Sequence, residues 1–444
     1  MRPSLIAACL LLLAAAMASP SALAQSTTPT APPLPPRTPT QPDLPGGRGD
    51  MGPAPSIPDL FDAANGAGTD RPGANGNQPP AIANELCVIF PPNAPLEVPQ
   101  AFADDVDLEI VRDFTMQGLG LRVYLMRLGD GTEPDKVFEA AAADRRAAWV
   151  QPNFIYRTSQ DPASAASDQQ YALRRMRADI AATQAGGGQG IRIALIDSGV
   201  DTTHESLAGA TISAIDVVDD GSAAAEVHGT VLASILVGQG PLHGIAPRAE
   251  LIAIRAFREV EAKQGLAESS SFLLALGIET AIRQHARIAN LSLTGPQDRL
   301  VSQLVSEALL NKVSVIAAAG NAGPRAAPPY PAAQDGVIAV TATDMKDRLF
   351  KDANRGDYIS VAAPGVDILG ARPGGGYDFF SGTSMATGYA SGLAALLMSH
   401  QPALGVVKLR RAMEDSAVDL GTPQRDPEFG AGRIDALAAL QRLP

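Results

Sequence analysis

Cysteine is nearly absent from this chain of 444 residues, which has two, Cys9 and Cys87. Cys9 lies inside an apolar run that continues past it, a poor setting for lipid attachment. Cys87 stands alone in the rest of the chain, so a disulfide framework and a cysteine-rich metal site are both excluded. A basic stretch is missing as well. The formal net charge is −12 and no segment concentrates Lys and Arg, a balance that repels nucleic acid and anionic membrane. After the first residues no uncharged apolar run is long enough to span a bilayer. The chain is instead 45% hydrophobic and 18% charged, a globular composition with length for two or three domains.

The opening residues read as an export address. Arg2 supplies a positive start, Leu5 to Ala18 an apolar stretch too short for a good span, and Ala22-Leu23-Ala24 small residues where a signal peptidase inspects. The expected signal peptide is 1–24, cut before Gln25. The expected product is exported by the general secretory route to the periplasm or medium, without stable membrane insertion. Residues 25–83 form an expected spacer: 14 of the 36 prolines fall between Gln25 and Pro80, among Thr, Gly, Asn and Ala. Such a composition buries too little surface to offset its ordering entropy.

A small α+β unit is expected next. Glu85–Phe90, Leu121–Arg127 and Trp149–Tyr156 have the pattern of strands, and Asp135–Arg146 that of an alanine-rich helix. Thr158–Ser167 is a softer connection, which places the second domain and its linker at 84–167. From 168 to 444, apolar runs at Ile191–Ile196, Leu251–Arg255, Ile288–Leu293, Val313–Ala318, Val337–Thr341 and Tyr358–Ala362 alternate with helical spacing at Thr230–Val237, Ser270–His285, Arg299–Asn311 and beyond Ser384. The pattern predicts an α/β domain with a mostly parallel sheet, flanked by helices on both faces.

Three segments of that domain carry chemistry only when taken together. Ile191–Asp197 is a buried strand running into an Asp, where a carboxylate can hold a histidine in one tautomer; alone, Asp197-Ser-Gly is a turn. His228 opens an apolar helix, a fixed place for a general base, yet it is one of five histidines and by itself has no better claim than His204, His243, His285 or His400. Ser384, in Ser381-Gly-Thr-Ser-Met-Ala, stands at the mouth of another helix, where unpaired N–H groups can receive an oxyanion; alone, it reads equally well as a cap.

The order Asp197, His228, Ser384, with separations of 31 and 156 residues, resembles that of the subtilase family, for which subtilisin is the standard example. The flanks agree: Ala194-Leu-Ile-Asp-Ser-Gly-Val-Asp201, His228-Gly-Thr, Gly244-Ile-Ala-Pro247, Gly382-Thr-Ser-Met-Ala and Phe429-Gly-Ala-Gly432. The resemblance covers about Asp168 to Leu437. It implies a secreted serine endopeptidase with a Ser-His-Asp triad, autoprocessed from a precursor, acting on protein or peptide substrates. The alternative is a non-catalytic relative that binds peptides or acts as a surface protein. The resemblance also implies that Asn321, in Ala318-Ala-Gly-Asn, donates to the oxyanion. It makes Ser292, Leu293, Thr294 and Gly295 one wall of the substrate pocket and Ala318, Ala319 and Gly320 the other. It makes residues 84–157 a propeptide that chaperones folding and occupies the active site as an intramolecular inhibitor, with cleavage between Thr158 and Gln170. No cofactor is expected for the chemistry; relatives often bind structural calcium, but no acidic loop marks a site. A monomer is expected.

Three positions depart from the family pattern. Gly388 stands where proline is usual, Thr294 where glycine is usual and Val231 where many relatives have a second histidine. Ser384, Gly388 and Gly392 share a helix face at i, i+4, i+8, bare enough for close packing, so the nucleophile is expected to stay in place. Thr294 is expected to narrow the pocket toward small or medium apolar residues.

Overall fold

The computed structural model describes residues 79–129, 133–158, 161–162, 170–222, 225–259 and 267–443. The expected signal peptide, most of the spacer and most of the processing linker lie outside them.

The N-terminal unit consists of β1 (Ala81–Phe90), α1 (Val98–Asp105), β2 (Leu108–Met116), β3 (Leu121–Leu128), α2 (Pro134–Ala143) and β4 (Trp149–Arg157). Its own core gathers Leu86, Val88, Phe90, Phe102, Met126 and Phe138. Two boundaries differ from expectation, and two elements are new. β1 starts at Ala81, paired with Phe154, four residues before the expected Glu85, and changes register before Leu86. The second helix stops at Ala143 because the Asp144 carboxylate accepts the Arg146 N–H at 2.9 Å, a local turn that competes with the helix. β2 and α1 had no counterpart in the sequence reading. β2 carries Glu109, Arg112 and Asp113 and lies at the sheet edge with much of its length part-exposed, so no apolar run announces it.

The chain continues through β5 (Asp161–Pro162), α3 (Tyr171–Arg175), α4 (Ala178–Gln184), β6 (Arg192–Asp197), β7 (Thr211–Asp216), α5 (Val227–Val237), β8 (Glu250–Arg255), β9 (Arg258–Glu259), β10 (Ala267–Ser270), α6 (Ser271–Arg283), β11 (Ile288–Leu291), α7 (Arg299–Leu310) and β12 (Ser314–Ala318). It ends with β13 (Ile338–Thr343), β14 (Ile359–Pro364), β15 (Ile368–Ala371), β16 (Tyr377–Ser381), α8 (Thr383–His400), α9 (Val406–Asp415) and α10 (Ala436–Gln441). Seven strands form a parallel sheet in the order β14-β13-β12-β11-β6-β8-β7. Both faces are covered, which is why its inner strands are apolar without alternation. Ile193, Leu195, Ile288, Ile316 and Val340 join the core built on α5 and α8. Ile196 and Ile254 lie under Gly277 of α6, on the other face. The exception is β7, Thr-Ile-Ser-Ala-Ile-Asp, an edge strand without a fully buried residue.

Two features place the cleft. Strand order reverses beside β6, with β7 and β8 on one side and β11 to β14 on the other, and such a switch point opens a crevice at the strands' carboxyl ends. Beside it the sheet of the N-terminal unit runs on into the main domain in the order β2-β3-β1-β4-β10-β9.

Candidate active site

Asp197 is the last residue of β6 and wholly buried. Its Oδ1 accepts the Ser198 N–H at 2.7 Å and lies 2.7 Å from Nδ1 of His228. A carboxylate at that distance fixes the proton on Nδ1 and leaves a lone pair on Nε2, the form a general base requires. His228 is the second residue of α5, 1% exposed, and its Nε2 has no hydrogen-bond partner among the described residues. The neighbouring turns are tied together: Gly229 N–H donates to Ser198 Oγ at 3.0 Å, and Glu226 N–H to the Gly199 carbonyl at 2.9 Å. An added Cβ at Gly229 would meet the Ser198 carbonyl oxygen at 2.3 Å, so the His-Gly pair is required by the close approach of these two backbones.

Ser384 enters from the opposite side, at the second position of α8, where it is 1% exposed. Gly382, at φ 153° and ψ 164°, makes the sharp entry from β16 into the helix. Ser384 Oγ donates to the Ser292 carbonyl at 3.1 Å, and Ser292 Oγ donates back to the Ser384 carbonyl at 3.1 Å. Ser292 is itself set by Asn290 Nδ2 at 2.9 Å, and Asn290 by Ser391 Oγ at 2.9 Å. The nucleophile candidate is thus locked to the end of β11.

Asn321 follows β12. Its Oδ1 accepts both the Thr383 N–H at 3.0 Å and the Thr383 hydroxyl at 2.8 Å. Two donors on one atom identify it as the oxygen and make Nδ2 the donor end of the amide. Thr383 also receives the Gly320 N–H on Oγ1 at 3.2 Å. Sequence reasoning missed this role of Thr383, although its place beside Ser384 in Gly-Thr-Ser was the available signal.

The two expected walls are neighbours because β11 and β12 pair in parallel, with Leu291 opposite Ala317. Ser292–Gly295 and Ala318–Gly320 therefore leave the sheet side by side. Between the first wall and β10 lies the end of β4. Tyr156 pairs with Ser269 and Arg157 with Glu268. Arg157 exchanges both backbone bonds with Thr294 at 3.1 Å, and Thr158 N–H reaches the Ala267 carbonyl at 2.9 Å. Residues 155–158 thus run as a strand with partners on both sides. Tyr156 is fully buried, and a Cβ at Gly295 would meet its ring at 2.2 Å. Thr294 contributes to this pairing through its backbone.

Two of the departures are also placed. Val231 is buried in α5, against Gly370 of β15. Gly388 faces Ile235 and Leu232 of α5, and Gly392 faces Ile245, so the bare face of α8 is used for packing as expected.

Residues 188–432 match the family model described as Peptidase S8, the subtilase family. Among curated proteins, the chain is 36% identical over 256 residues to the minor extracellular protease Epr of Bacillus subtilis, covering 56% of this chain and 38% of that one. It is 34% identical over 283 residues to thermitase of Thermoactinomyces vulgaris, covering 62% of this chain and 97% of thermitase. Among solved structures, fervidolysin from Fervidobacterium pennivorans superposes with a TM-score of 0.71 at 23% identity, over 84% of this chain and 63% of that one, a likeness of fold.

Proposed function

We propose, on the premise that this chain belongs to the subtilase family and is a serine endopeptidase, that Ser384 is its nucleophile, His228 its general base and Asp197 the group that orients the imidazole. The observation that carries this reading is the 2.7 Å contact between Asp197 Oδ1 and His228 Nδ1, with Ser384 brought to the same strand ends by α8. Hydrolysis begins when Ser384 Oγ turns from the Ser292 carbonyl to His228 Nε2. The hydroxyl attacks the peptide carbonyl as its proton passes to Nε2. The oxyanion is received by Asn321 Nδ2 and the Ser384 N–H, donors set in place before the reaction. His228 then protonates the leaving amine, and water resolves the acyl-enzyme by the same steps reversed. These side chains suffice for the chemistry.

Substrates are proposed to take the path of residues 155–158, as an added strand between β10 and Thr294, so that main-chain bonds supply much of the affinity. By the same argument the N-terminal unit is a propeptide that fills the cleft. Several contacts support this. Asn153 Oδ1 accepts the Phe272 N–H at the start of α6 at 3.1 Å, and Gln151 Oε1 the Leu300 N–H at the start of α7 at 3.1 Å. Gln151 Nε2 donates to Asp298 at 2.8 Å, and Arg112 Nη1 reaches the Val217 carbonyl at 2.9 Å. Two helices of the main domain are thus capped by side chains of the N-terminal unit. With the signal and spacer reading of 1–83, the whole is a secreted precursor whose processing bond lies just past Thr158, in an autolytic, intramolecular cut.

The test is intact mass and N-terminal sequence of the purified protein, beside Ser384→Ala. Wild type is expected to begin between residues 159 and 170 and to be inactivated by a sulfonyl fluoride at Ser384. The variant is expected to keep the N-terminal unit attached. Processing at the same place in the variant would reject autolysis, and an unreactive Ser384 would reject the triad.

A further inference from the structure

Arg255 ends β8 and is 7% exposed, a cation buried beside the Asp197–His228 pair. Its Cα lies opposite Asp197 in the β6–β8 ladder, and the N–H groups of Ala256 and Phe257 donate to the Asp197 carbonyl at 2.8 and 3.2 Å. The guanidinium turns to the segment joining β7 to α5. Nη1 donates to Asp216 Oδ2 at 3.0 Å, Asp220 Oδ1 at 2.9 Å and the Ser222 carbonyl at 3.0 Å. Nε lies 3.6 Å from Glu226 Oε1, an ion pair without a hydrogen bond. Three carboxylates and a carbonyl converge on one side chain. The Arg255 hydrogen bonds hold the Asp220 carboxyl down at about 2, helped by Arg258 at 3.1 Å. Glu226, 4% exposed, immediately precedes α5, and His228 follows two residues later.

We propose that Arg255 is a positioning residue for the His228–Asp197 pair: it fastens the segment that delivers His228 to the strand that delivers Asp197, and its charge offsets the carboxylates around them. The proposal rests on the endopeptidase reading above. Arg255 touches no reacting atom and acts through Glu226 and the β6–β8 ladder. Arg255 and Arg258 against Asp216, Asp220 and Glu226 leave one net negative charge, and loss of Arg255 leaves two. An added negative charge near the imidazole favours its protonated, inactive form. The other titratable groups near the active-site end of the elements packed on α5 are Asp197, His204, Glu205 and Tyr389, which the variants below leave in place.

The experiment measures kcat and KM against pH for protein purified from expression of the full chain, per active site titrated with a sulfonyl fluoride. Arg255→Met is expected to lower kcat about tenfold to a hundredfold with little change in KM, the signature of a misplaced catalytic group. Its acid limb is expected to move up by about half a pH unit, the effect of one partly screened charge at this range. Arg255→Lys keeps the charge, so its acid limb is expected to match wild type while kcat recovers in part. Asp220→Asn removes a carboxylate and is expected to move the limb to lower pH. A merely structural residue would reduce the number of titratable sites and leave kcat per site and both limbs unmoved, and that result overturns the proposal. If Arg255→Met yields no folded protein, an unmoved limb in Asp220→Asn overturns it equally. If wild type is not labelled at Ser384, the endopeptidase reading fails first and takes this one with it.

Discussion

At the scale of single residues the site is built from side chains that hold other side chains. Asn321 shows this best. Its amide oxygen is engaged twice by Thr383, which fixes the orientation of the amide. Asn321→Ala is therefore expected to cost roughly 10²–10³-fold in kcat with little effect on KM, the loss established for such a donor in subtilisin. Steady-state hydrolysis of a peptide substrate checks it, and a loss confined to KM would place Asn321 outside the oxyanion site. The triad candidates were legible in the sequence because their chemistry needs fixed residue types at strand ends and helix starts, within flanks that resemble one family. Thr383 and Arg255 were not. A threonine before a serine reads as a cap, and an arginine at a strand end reads as surface. Only tertiary packing reveals that Arg255 is buried and that Ser384 Oγ rests on the Ser292 carbonyl.

At the scale of elements, α8 carries the clearest constraint. Every residue from Thr383 to Met398 is buried, and the helix approaches its neighbours through Gly388 and Gly392. A methyl at 392 would meet Ile245 Cγ2 at 1.8 Å, whereas one at 388 would meet Ile235 Cγ2 and Leu232 Cδ2 at 3.2 Å, so its neighbours need give by only a few tenths of an ångström. Alanine favours a helix interior by about 1 kcal/mol over glycine. Overpacking a tight core costs about 1–3 kcal/mol. Gly392→Ala is thus expected to lower the thermal midpoint clearly, and Gly388→Ala to change it much less, both measured in a Ser384→Ala background to prevent self-digestion. Equal effects would mean that the helix shifts to absorb either methyl. The elements legible in the sequence were those buried on both faces, such as β6, β11 and β12, found to within two residues at either end. Edge strands β2 and β7 were lost because solvent on one side allows polar residues that mimic a loop.

At the scale of the whole molecule, the proposed propeptide has a pH dependence written into its contacts. Glu279 of α6 and Glu307 of α7 accept the N–H groups of Gln117 and Gly118, in the turn between β2 and β3, at 3.3 and 2.6 Å. Burial pushes the Glu279 carboxyl up to about 7, with the Gln117 N–H opposing and the Glu307 charge adding to the rise. Burial raises Glu307 in the same direction. Once the unit leaves, water reaches both groups and they return toward ordinary values. A carboxyl raised in the bound state contributes affinity that is complete below its free value and is lost as pH rises through about 7. Above that point two adjacent charges are held out of water, and the complex loosens. Release after processing is therefore expected to be about tenfold faster at pH 8 than at pH 5.5. The reporter is already in place: Trp149, the only tryptophan of the chain, is 8% exposed and stacked 4.4 Å from the Arg299 guanidinium of α7. Its emission should shift to the red as the unit departs. Glu279→Gln cannot ionise and is expected to flatten the pH dependence. Faster release in acid would show instead that other groups at this interface, such as the Arg157–Glu268 pair, govern when the protease is set free.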